Sequence, residues 1–128
     1  MNKKKVGFIG AGYMGYGMAK NLLNEHSVYV IAHKNRKPID SLIKKGAIEV
    51  NNYIDLIKQN LNCLMMCVTN TPIALKIAKE ISPLIKEKLL IIDLTTHDKN
   101  GTKMMQAIFK SNNIIYTVNP VMGGPVQS

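Results

Sequence analysis

Short apolar runs alternate with longer amphipathic segments along the whole chain. Six of these runs have the length of a strand and are rich in Val, Ile and Leu, and they predict strands over residues 5–9, 28–32, 48–50, 61–68, 89–94 and 114–118. The segments between them carry apolar residues at helical spacing, which predicts helices over residues 14–24, 38–45, 53–60, 72–84 and 98–112. Near-continuous apolar strands are typical of a parallel sheet that is covered on both faces.

The regular alternation of strands and helices indicates successive βαβ units. Such units build a doubly wound parallel sheet, so the chain is predicted to be a single α/β domain with a Rossmann-type fold. Its length of 128 residues suits one domain with a substantial core. Pro38 is expected at the first position of the second helix, and Thr71 with Pro72 is expected to begin the fourth. The residues expected to face the core from the last three helices include Ile54, Ile57, Ile73, Ile77, Met104 and Met105.

Three glycines follow the first strand in the spacing G-x-G-x-x-G. Gly10 would make the tight turn after the strand, Gly12 would let the backbone approach a pyrophosphate, and Gly15 would let the helix pack closely against the strand. The pyrophosphate would then bind the free N–H groups at the helix N-terminus. The alternative is a turn with a structural role alone. The candidate cofactor-binding residues at this turn are Gly10, Ala11, Gly12, Tyr13, Met14 and Gly15.

The residues after the second strand favour NADP over NAD. An acidic residue about 20 positions after the glycines would bind the ribose 2′-hydroxyl of NAD, whereas a basic residue there suits the 2′-phosphate of NADP. The sequence reads His33-Lys34-Asn35-Arg36, and the next acidic residue is Asp40. Lys34 is the first candidate for the phosphate and Arg36 the second, with His33 and Asn35 as neutral hydrogen-bonding groups. The alternative is a solvated basic loop.

Two more turns follow the carboxyl ends of predicted strands, at the edge where open α/β sheets bind ligands. After the fourth strand, Val68, Thr69 and Asn70 are candidates for contact with the cofactor. After the fifth strand, Thr96 is a candidate beside Thr95. The alternative at the first turn is a structural role, because Thr71 and Pro72 form a good N-cap and first-turn pair for the next helix. The alternative at the second turn is that the two threonines cap the helix that begins near Asp98.

Composition and charge narrow the class of protein. The formal net charge is +9, but the 17 basic residues are scattered, and the clusters at residues 3–5 and 34–37 lack interleaved aromatic residues, so nucleic-acid binding is not expected. Cys63 and Cys67 are expected to be buried free thiols on one face of a strand, and no metal site is expected. No membrane span is expected, because no apolar run reaches about 18 residues. No signal peptide is expected, because the start Met-Asn-Lys-Lys-Lys leads directly into a strand without a signal-peptide core. A cytoplasmic location is the default expectation.

Four segments carry motifs that are longer than the glycine spacing alone. They are residues 6–22, V-G-F-I-G-A-G-Y-M-G-Y-G-M-A-K-N-L; residues 68–72, V-T-N-T-P; residues 92–96, I-D-L-T-T; and residues 119–124, N-P-V-M-G-G. In this order they resemble the opening G-F-I-G-x-G-x-M-G-x-x-M-A-x-N-L, the L-P-N turn, the I-D-x-S-T segment and the substrate-binding A-P-V-S-G-G of the β-hydroxyacid dehydrogenases. That family includes 3-hydroxyisobutyrate dehydrogenase, tartronate semialdehyde reductase, and glyoxylate and succinic semialdehyde reductases.

The resemblance implies an NADP-dependent oxidoreductase that acts on CH–OH donors. It would transfer hydride between NADP(H) and a small 3-hydroxy acid, whose product is a semialdehyde or keto acid. Residues 1–118 would form the dinucleotide-binding domain, and residues 119–128 would begin the substrate-binding motif and an interdomain segment. The catalytic lysine of the family lies in a helical C-terminal domain, which would follow Ser128, so no catalytic residue is expected in this chain. The chain alone is therefore expected to be inactive.

The last motif supplies the substrate-binding candidates, which are Met122, Gly123 and Gly124. Met122 replaces the family's serine, so one hydroxyl donor is missing, whereas the two glycines keep their backbone donors. The expected partners are a small hydroxy acid or semialdehyde, the C-terminal helical domain and, for the full-length protein, further copies of itself in a homo-oligomer. The alternatives are a nucleotide-sensing or partner-binding module without catalysis, an imine-reducing relative, and a basic nucleic-acid-binding protein.

Overall fold

The computed structural model describes residues 3–10, 13–31, 35–111 and 113–119, and within them it has a strand or helix at each predicted place. The strands are β1 (Lys5–Ile9), β2 (Ser27–Ile31), β3 (Ile48–Val50), β4 (Cys63–Met66), β5 (Leu89–Asp93) and β6 (Ile114–Val118). The helices are α1 (Tyr13–Leu22), α2 (Arg36–Lys44), α3 (Tyr53–Ile57), α4 (Thr71–Ile81) and α5 (Lys99–Ile108), and a short 3₁₀ turn (Ser82–Leu84) follows α4.

The strands form one parallel sheet in the order β3-β2-β1-β4-β5-β6. The chain therefore builds outwards from β1 in one direction and then returns to build outwards from β4 in the other. The point where this order reverses lies between β1 and β4, and open sheets of this kind bind ligands in the crevice beyond the carboxyl ends of those two strands. The predicted single-domain, Rossmann-type parallel sheet is confirmed.

A separate apolar cluster covers each face of the sheet. On one face, α1 and α2 pack over the smaller cluster, which includes Phe8, Ala19, Val28, Val30, Ile39 and Leu42. On the other face, α3, α4 and α5 pack over the larger cluster, which includes Leu56, Leu64, Met66, Ile77, Ile81 and Met105. Because both faces of the central strands are buried, those strands need apolar side chains on each side, which explains the near-continuous apolar runs.

Most elements begin or end one to four residues away from the predicted positions, and three helix boundaries have an identified local cause. Helix α2 begins at Arg36, two residues before Pro38, because the side chain of Asn35 caps it. Helix α3 ends at Ile57, and the chain turns at Asn60 with φ 57°, a left-handed conformation that Asn tolerates better than most residues. Helix α4 is capped by Asn70, whereas Thr71 was expected to be the cap.

Three residues that were expected to face the core are exposed. These are Ile54, Ile73 and Met104. Leu56, two positions after Ile54, and Met105, one position after Met104, are fully buried and face the core instead. Where two large apolar residues lie close together on a short helix, periodicity alone does not decide which one faces the sheet.

Cys63 and Cys67 are free thiols, as predicted, but both are of intermediate exposure. Side chains alternate along β4, so that Leu64 contributes to the larger cluster and Cys67 to the smaller one. Burial raises the pKa of Cys63 to about 11. Burial, together with the negative charge of Asp93, raises the pKa of Cys67.

None of the helices in the described part of the chain combines the length and apolar character that crossing a membrane requires.

Candidate functional site

Two positions, one in the turn after β1 and one in the first turn of α1, accept glycine alone. Gly10 has φ +90°, and a Cβ atom there would lie 2.1 Å from the carbonyl oxygen of Cys67. A Cβ atom on Gly15 would lie 2.4 Å from the carbonyl oxygen of Gly10. Both distances are far below van der Waals contact, so the first and third glycines of the motif are needed for the tight turn and for the close approach of helix to strand. Ala11 and Gly12 lie outside the described residues.

The N-terminus of α1 follows this turn directly, at the carboxyl end of β1. The helix begins at Tyr13 and has no acidic residue in its first turn. Its unpaired N–H groups and the positive end of its dipole are therefore not neutralised by a neighbouring carboxylate of the helix itself. This is the arrangement that binds a phosphate or pyrophosphate group.

A cleft with a volume of about 700 Å³ opens at the point where the strand order reverses. Four of the residues that were predicted from sequence line it together, namely Gly10, Asn35, Val68 and Thr69. Its volume falls in the usual range for sites that bind small molecules and cofactors. The remaining lining residues are Ile9, Ile31, Pro38, Ile39, Asn51, Asn52, Tyr53, Cys67, Ile73, Lys76, Ile77 and Glu80.

One wall of the cleft was not predicted from sequence. Ile73, Lys76, Ile77 and Glu80 line it from α4, and Ile73 is 42% exposed although it was expected to lie in the core. Their spacing of i, i+3, i+4 and i+7 puts them on one face of the helix. Helix α4 starts at the carboxyl end of β4, directly after the turn that was predicted to be part of the site. The sequence signal for this wall was therefore the face of α4 that lies next to that turn.

Arg36, in the basic segment after β2, is paired with two carboxylates. The Arg36 guanidinium donates to both carboxylate oxygens of Glu49 and, over 2.9 Å, to Asp40. The same guanidinium lowers the pKa of Glu49. The segment itself contains no acidic residue, as the sequence shows, but β3 brings Glu49 to Arg36, and Asp40 lies one helical turn along α2. His33 and Lys34 lie outside the described residues.

Two of the predicted polar contacts cap helices. The Asn35 side chain accepts a hydrogen bond from Lys37 N at the start of α2. The Asn70 side chain accepts one from Ile73 N, over 3.0 Å, at the start of α4. Neither cap was predicted from the sequence, since Thr71 was the expected cap of α4 and a solvated loop was the alternative for the segment of Asn35. For Asn70, capping engages the side-chain oxygen, and the side-chain NH₂ group is a separate pair of donors.

The threonines after β4 and β5 differ in burial. Thr69 and Thr96 are exposed, and Thr69 lines the cleft. Thr95 is 2% exposed, and its hydroxyl accepts a hydrogen bond from Val68 N over 3.1 Å. The backbone N–H of Val68 therefore already donates a hydrogen bond within the domain. Helix α5 is capped by Asp98, so neither Thr95 nor Thr96 caps it.

A buried hydrogen-bond network lies behind this edge and was not predicted. Asp93, at the end of β5, is fully buried and accepts hydrogen bonds from Tyr116 OH over 2.6 Å and from His97 Nε2 over 2.8 Å. The other ring nitrogen of His97 lies 2.7 Å from the hydroxyl of Thr71. Burial and the charge of Asp93 raise the pKa of Tyr116. The network ties the start of α4 to the end of β5 and the middle of β6.

The described residues contain no cluster of three or more His, Cys, Asp or Glu side chains that could hold a metal ion. The predicted substrate-binding residues Met122, Gly123 and Gly124 lie outside the described part of the chain. At its boundary, Asn119 N donates to the carbonyl oxygen of Asp93 over 2.8 Å. This bond extends the pairing of β6 with β5 to the same edge as the cleft.

Comparisons with known proteins agree with this geometry. A family model described as the NAD binding domain of 6-phosphogluconate dehydrogenase matches residues 5–128. The uncharacterized oxidoreductase YkwC of Bacillus subtilis (strain 168) is 28% identical over 126 residues, which are 97% of this chain and 44% of YkwC. The chain therefore spans less than half the length of this relative.

Solved structures share the fold at lower sequence identity. The 3-hydroxyisobutyrate dehydrogenase of Mycobacterium tuberculosis, in a structure with L-serine, superposes with a TM-score of 0.88 at 17% identity, covering 98% of this chain and 43% of that one. An imine reductase from Pseudomonas sp. superposes with a TM-score of 0.85 at 20% identity, covering 98% of this chain and 44% of that one.

Proposed function

Because the chain belongs to the family of the NAD-binding domain of 6-phosphogluconate dehydrogenase, we propose that it binds NADP(H) as the cofactor domain of a longer dehydrogenase. That enzyme transfers hydride between NADP(H) and a small 3-hydroxy acid or its semialdehyde. The observation that carries the proposal is the glycine turn, whose Gly10 and Gly15 leave no room for a Cβ atom, at the mouth of a cleft of about 700 Å³.

Each part of the cleft suits one part of a dinucleotide. The N-terminus of α1 would hold the pyrophosphate through backbone N–H groups. The α4 wall, with Ile73 and Ile77, offers an apolar surface for the adenine ring, and the amine of Lys76 lies on the same helix face. Val68, Thr69, Asn70 and Thr96 lie towards the nicotinamide end of such a ligand. When bound, the nicotinamide supplies the hydride chemistry.

Selection of NADP(H) over NAD(H) is assigned to the basic segment after β2. Lys34 is the first residue for the 2′-phosphate, Arg36 is the second, and His33 and Asn35 are neutral hydrogen-bonding groups. No acidic residue lies between the end of β2 and Arg36 in the sequence, so nothing within that segment repels a phosphate dianion.

The substrate side of the proposal rests on residues 119–128 and on the length of the relatives. Gly123 and Gly124 would donate backbone hydrogen bonds to the substrate carboxylate. Met122, which stands in place of the family's serine, would supply no hydroxyl donor. The general acid/base would come from a helical C-terminal domain, through which the full-length enzyme would also form homo-oligomers. We propose that the 128-residue chain binds the cofactor but does not turn over substrate.

The proposal is tested by calorimetric titration of the chain with NADPH and with NADH. We expect NADPH to bind more tightly, and Lys34→Ala to weaken NADPH binding about tenfold while leaving NADH binding unchanged, because one charge-assisted contact to phosphate is lost. Lys88→Ala, which removes an exposed lysine just before β5 at the opposite edge of the sheet, is the matched control. Failure of both nucleotides to bind, or an equal loss for both in Lys34→Ala, would contradict the proposal.

A further inference from the structure

The Arg36 guanidinium lies between two carboxylates. It donates from Nη1 and Nη2 to the two oxygens of Glu49 and from Nη2 to Asp40. The side chains of Arg36 and Asp40 are 44% and 56% exposed, whereas that of Glu49 is 24% exposed. Glu49 is therefore the better-shielded partner of Arg36 and contacts it through both oxygens.

The fold brings these three residues together from separate elements. Asp40 follows Arg36 by four positions on α2, so both lie on one face of that helix. Glu49 is on β3, where it is in register with Val30 of β2, close to the point at which β2 ends. Glu49 therefore reaches the segment that was chosen from sequence as the 2′-phosphate site, although it is 13 positions away from Arg36.

This pairing uses most of the hydrogen-bonding capacity of Arg36. A guanidinium has five N–H donors, and the hydrogen bonds to Glu49 and Asp40 use three of them. With both acids ionised, the cluster carries one positive and two negative charges. A phosphate dianion that approached Arg36 would meet repulsion from both carboxylates and would have to displace at least one of them to be bound by two parallel hydrogen bonds.

The position of Arg36 makes this competition relevant to a ligand. Arg36 follows Asn35 directly, and Asn35 lines the cleft. Exposed ion pairs shift an equilibrium by at most about fivefold each, which is comparable to the gain from one new contact to phosphate. The carboxylates therefore weaken a phosphate contact without preventing it.

We infer that Glu49, with a smaller contribution from Asp40, competes with the 2′-phosphate of NADP(H) for Arg36 and so determines how strongly this site prefers NADP(H) over NAD(H). The inference rests on the proposed function, because it assigns a specificity role at the same cofactor site. Glu49 acts here as a positioning residue, since it holds Arg36 and does not contact the cofactor.

The test is a double-mutant cycle on the 128-residue chain, with NADPH and NADH titrated into each variant. Glu49→Gln removes the charge and keeps the shape, and we expect NADPH to bind about two- to fivefold more tightly with NADH unchanged. In an Arg36→Met background the same change should have no effect on NADPH. A gain that persists without Arg36, a gain shared by NADH, or no gain at all would overturn the inference.

Two controls separate this role from a general change in charge and from a failure of the proposed function. Glu87→Gln removes an exposed acid just before β5, at the opposite edge of the sheet, and should leave both affinities unchanged. Asp40→Asn should give a smaller gain than Glu49→Gln. If both nucleotides bind but Glu49→Gln does not change their ratio, the inference fails while the proposed function stands. If neither nucleotide binds, both fail.

Discussion

Two glycines on α1 have opposite surroundings, although they are only two positions apart. A Cβ atom on Gly15 would meet the carbonyl oxygen of Gly10 at 2.4 Å and the ring of Phe8 at 2.9 Å. A Cβ atom on Gly17 would have no atom within 4 Å. The first glycine is therefore required by packing between helix and strand, whereas the second only costs the helix conformational entropy.

We accordingly expect alanine substitutions at these two positions to have opposite effects on stability. Gly15→Ala should lower the free energy of unfolding by about 1–3 kcal/mol, because backbone atoms must move to make room. Gly17→Ala should raise it by up to about 1 kcal/mol. Urea unfolding followed by circular dichroism measures both changes, and equal effects of the two variants would contradict the packing argument.

Residues whose role depends on local spacing were predictable from the sequence. The glycine motif predicted the tight turn at Gly10 and the close packing at Gly15, because both needs arise within a few positions of the chain. The pairing of Arg36 with Glu49 was not predictable, since it depends on which strand lies beside β2. A basic segment read alone shows its own charges but not the acid that the fold places next to it.

At the scale of elements, the Asp93 network joins two strands to the start of α4, the helix that forms one wall of the cleft. Asp93 comes from β5, Tyr116 from β6, and Thr71 starts α4. Tyr116 also packs its ring against Phe109, with ring centroids 5.1 Å apart. A buried carboxylate with fewer donors is costly, so this network restrains the relative positions of the three segments.

Loss of one donor to Asp93 should destabilise the domain. We expect Tyr116→Phe to lower the free energy of unfolding by about 1.5–3 kcal/mol, which is the usual range for a hydrogen bond to a charged group. Tyr53→Phe is the matched control, because the Tyr53 hydroxyl has no hydrogen bond to any described residue, and it should change stability by less than about 0.5 kcal/mol. Thermal or urea unfolding of the two variants compares them, and equal losses would show that the hydroxyl bond to Asp93 contributes little.

The strands were predicted more accurately than the helix ends. Burial on both faces leaves a continuous apolar signal in β1, β2, β4 and β5, and that signal does not depend on the rest of the fold. Helix ends depend on which of several adjacent polar residues accepts a backbone N–H. Asn70 and Thr71 are both suitable caps by composition, and only the three-dimensional path of the chain selects Asn70 for α4.

At the scale of the whole molecule, the fold class followed from the order of the elements. Alternating strands and helices allow few topologies once crossovers are right-handed. The cleft and its α4 wall could not be derived in the same way, because they depend on how far α4 lies from β2 and α2. The same holds for the Asp93 network, whose members Thr71 and His97 are 26 positions apart.

The strand order also divides the backbone amides into two classes with different access to deuterium. Strands β1 and β4 have a hydrogen-bonded neighbour on each side, whereas β3 and β6 have one neighbour each among the described residues. We expect the amides of Phe8 and Leu64 to exchange only through global unfolding, and the amides of β3 to exchange more than about a hundredfold faster through local opening. Hydrogen–deuterium exchange read by NMR measures this, and uniform protection across the sheet would contradict it. If the expectation holds, the exchange rate at Phe8 reports the total free energy of unfolding, and its slowing by NADPH gives the strength of cofactor binding without any enzymatic assay.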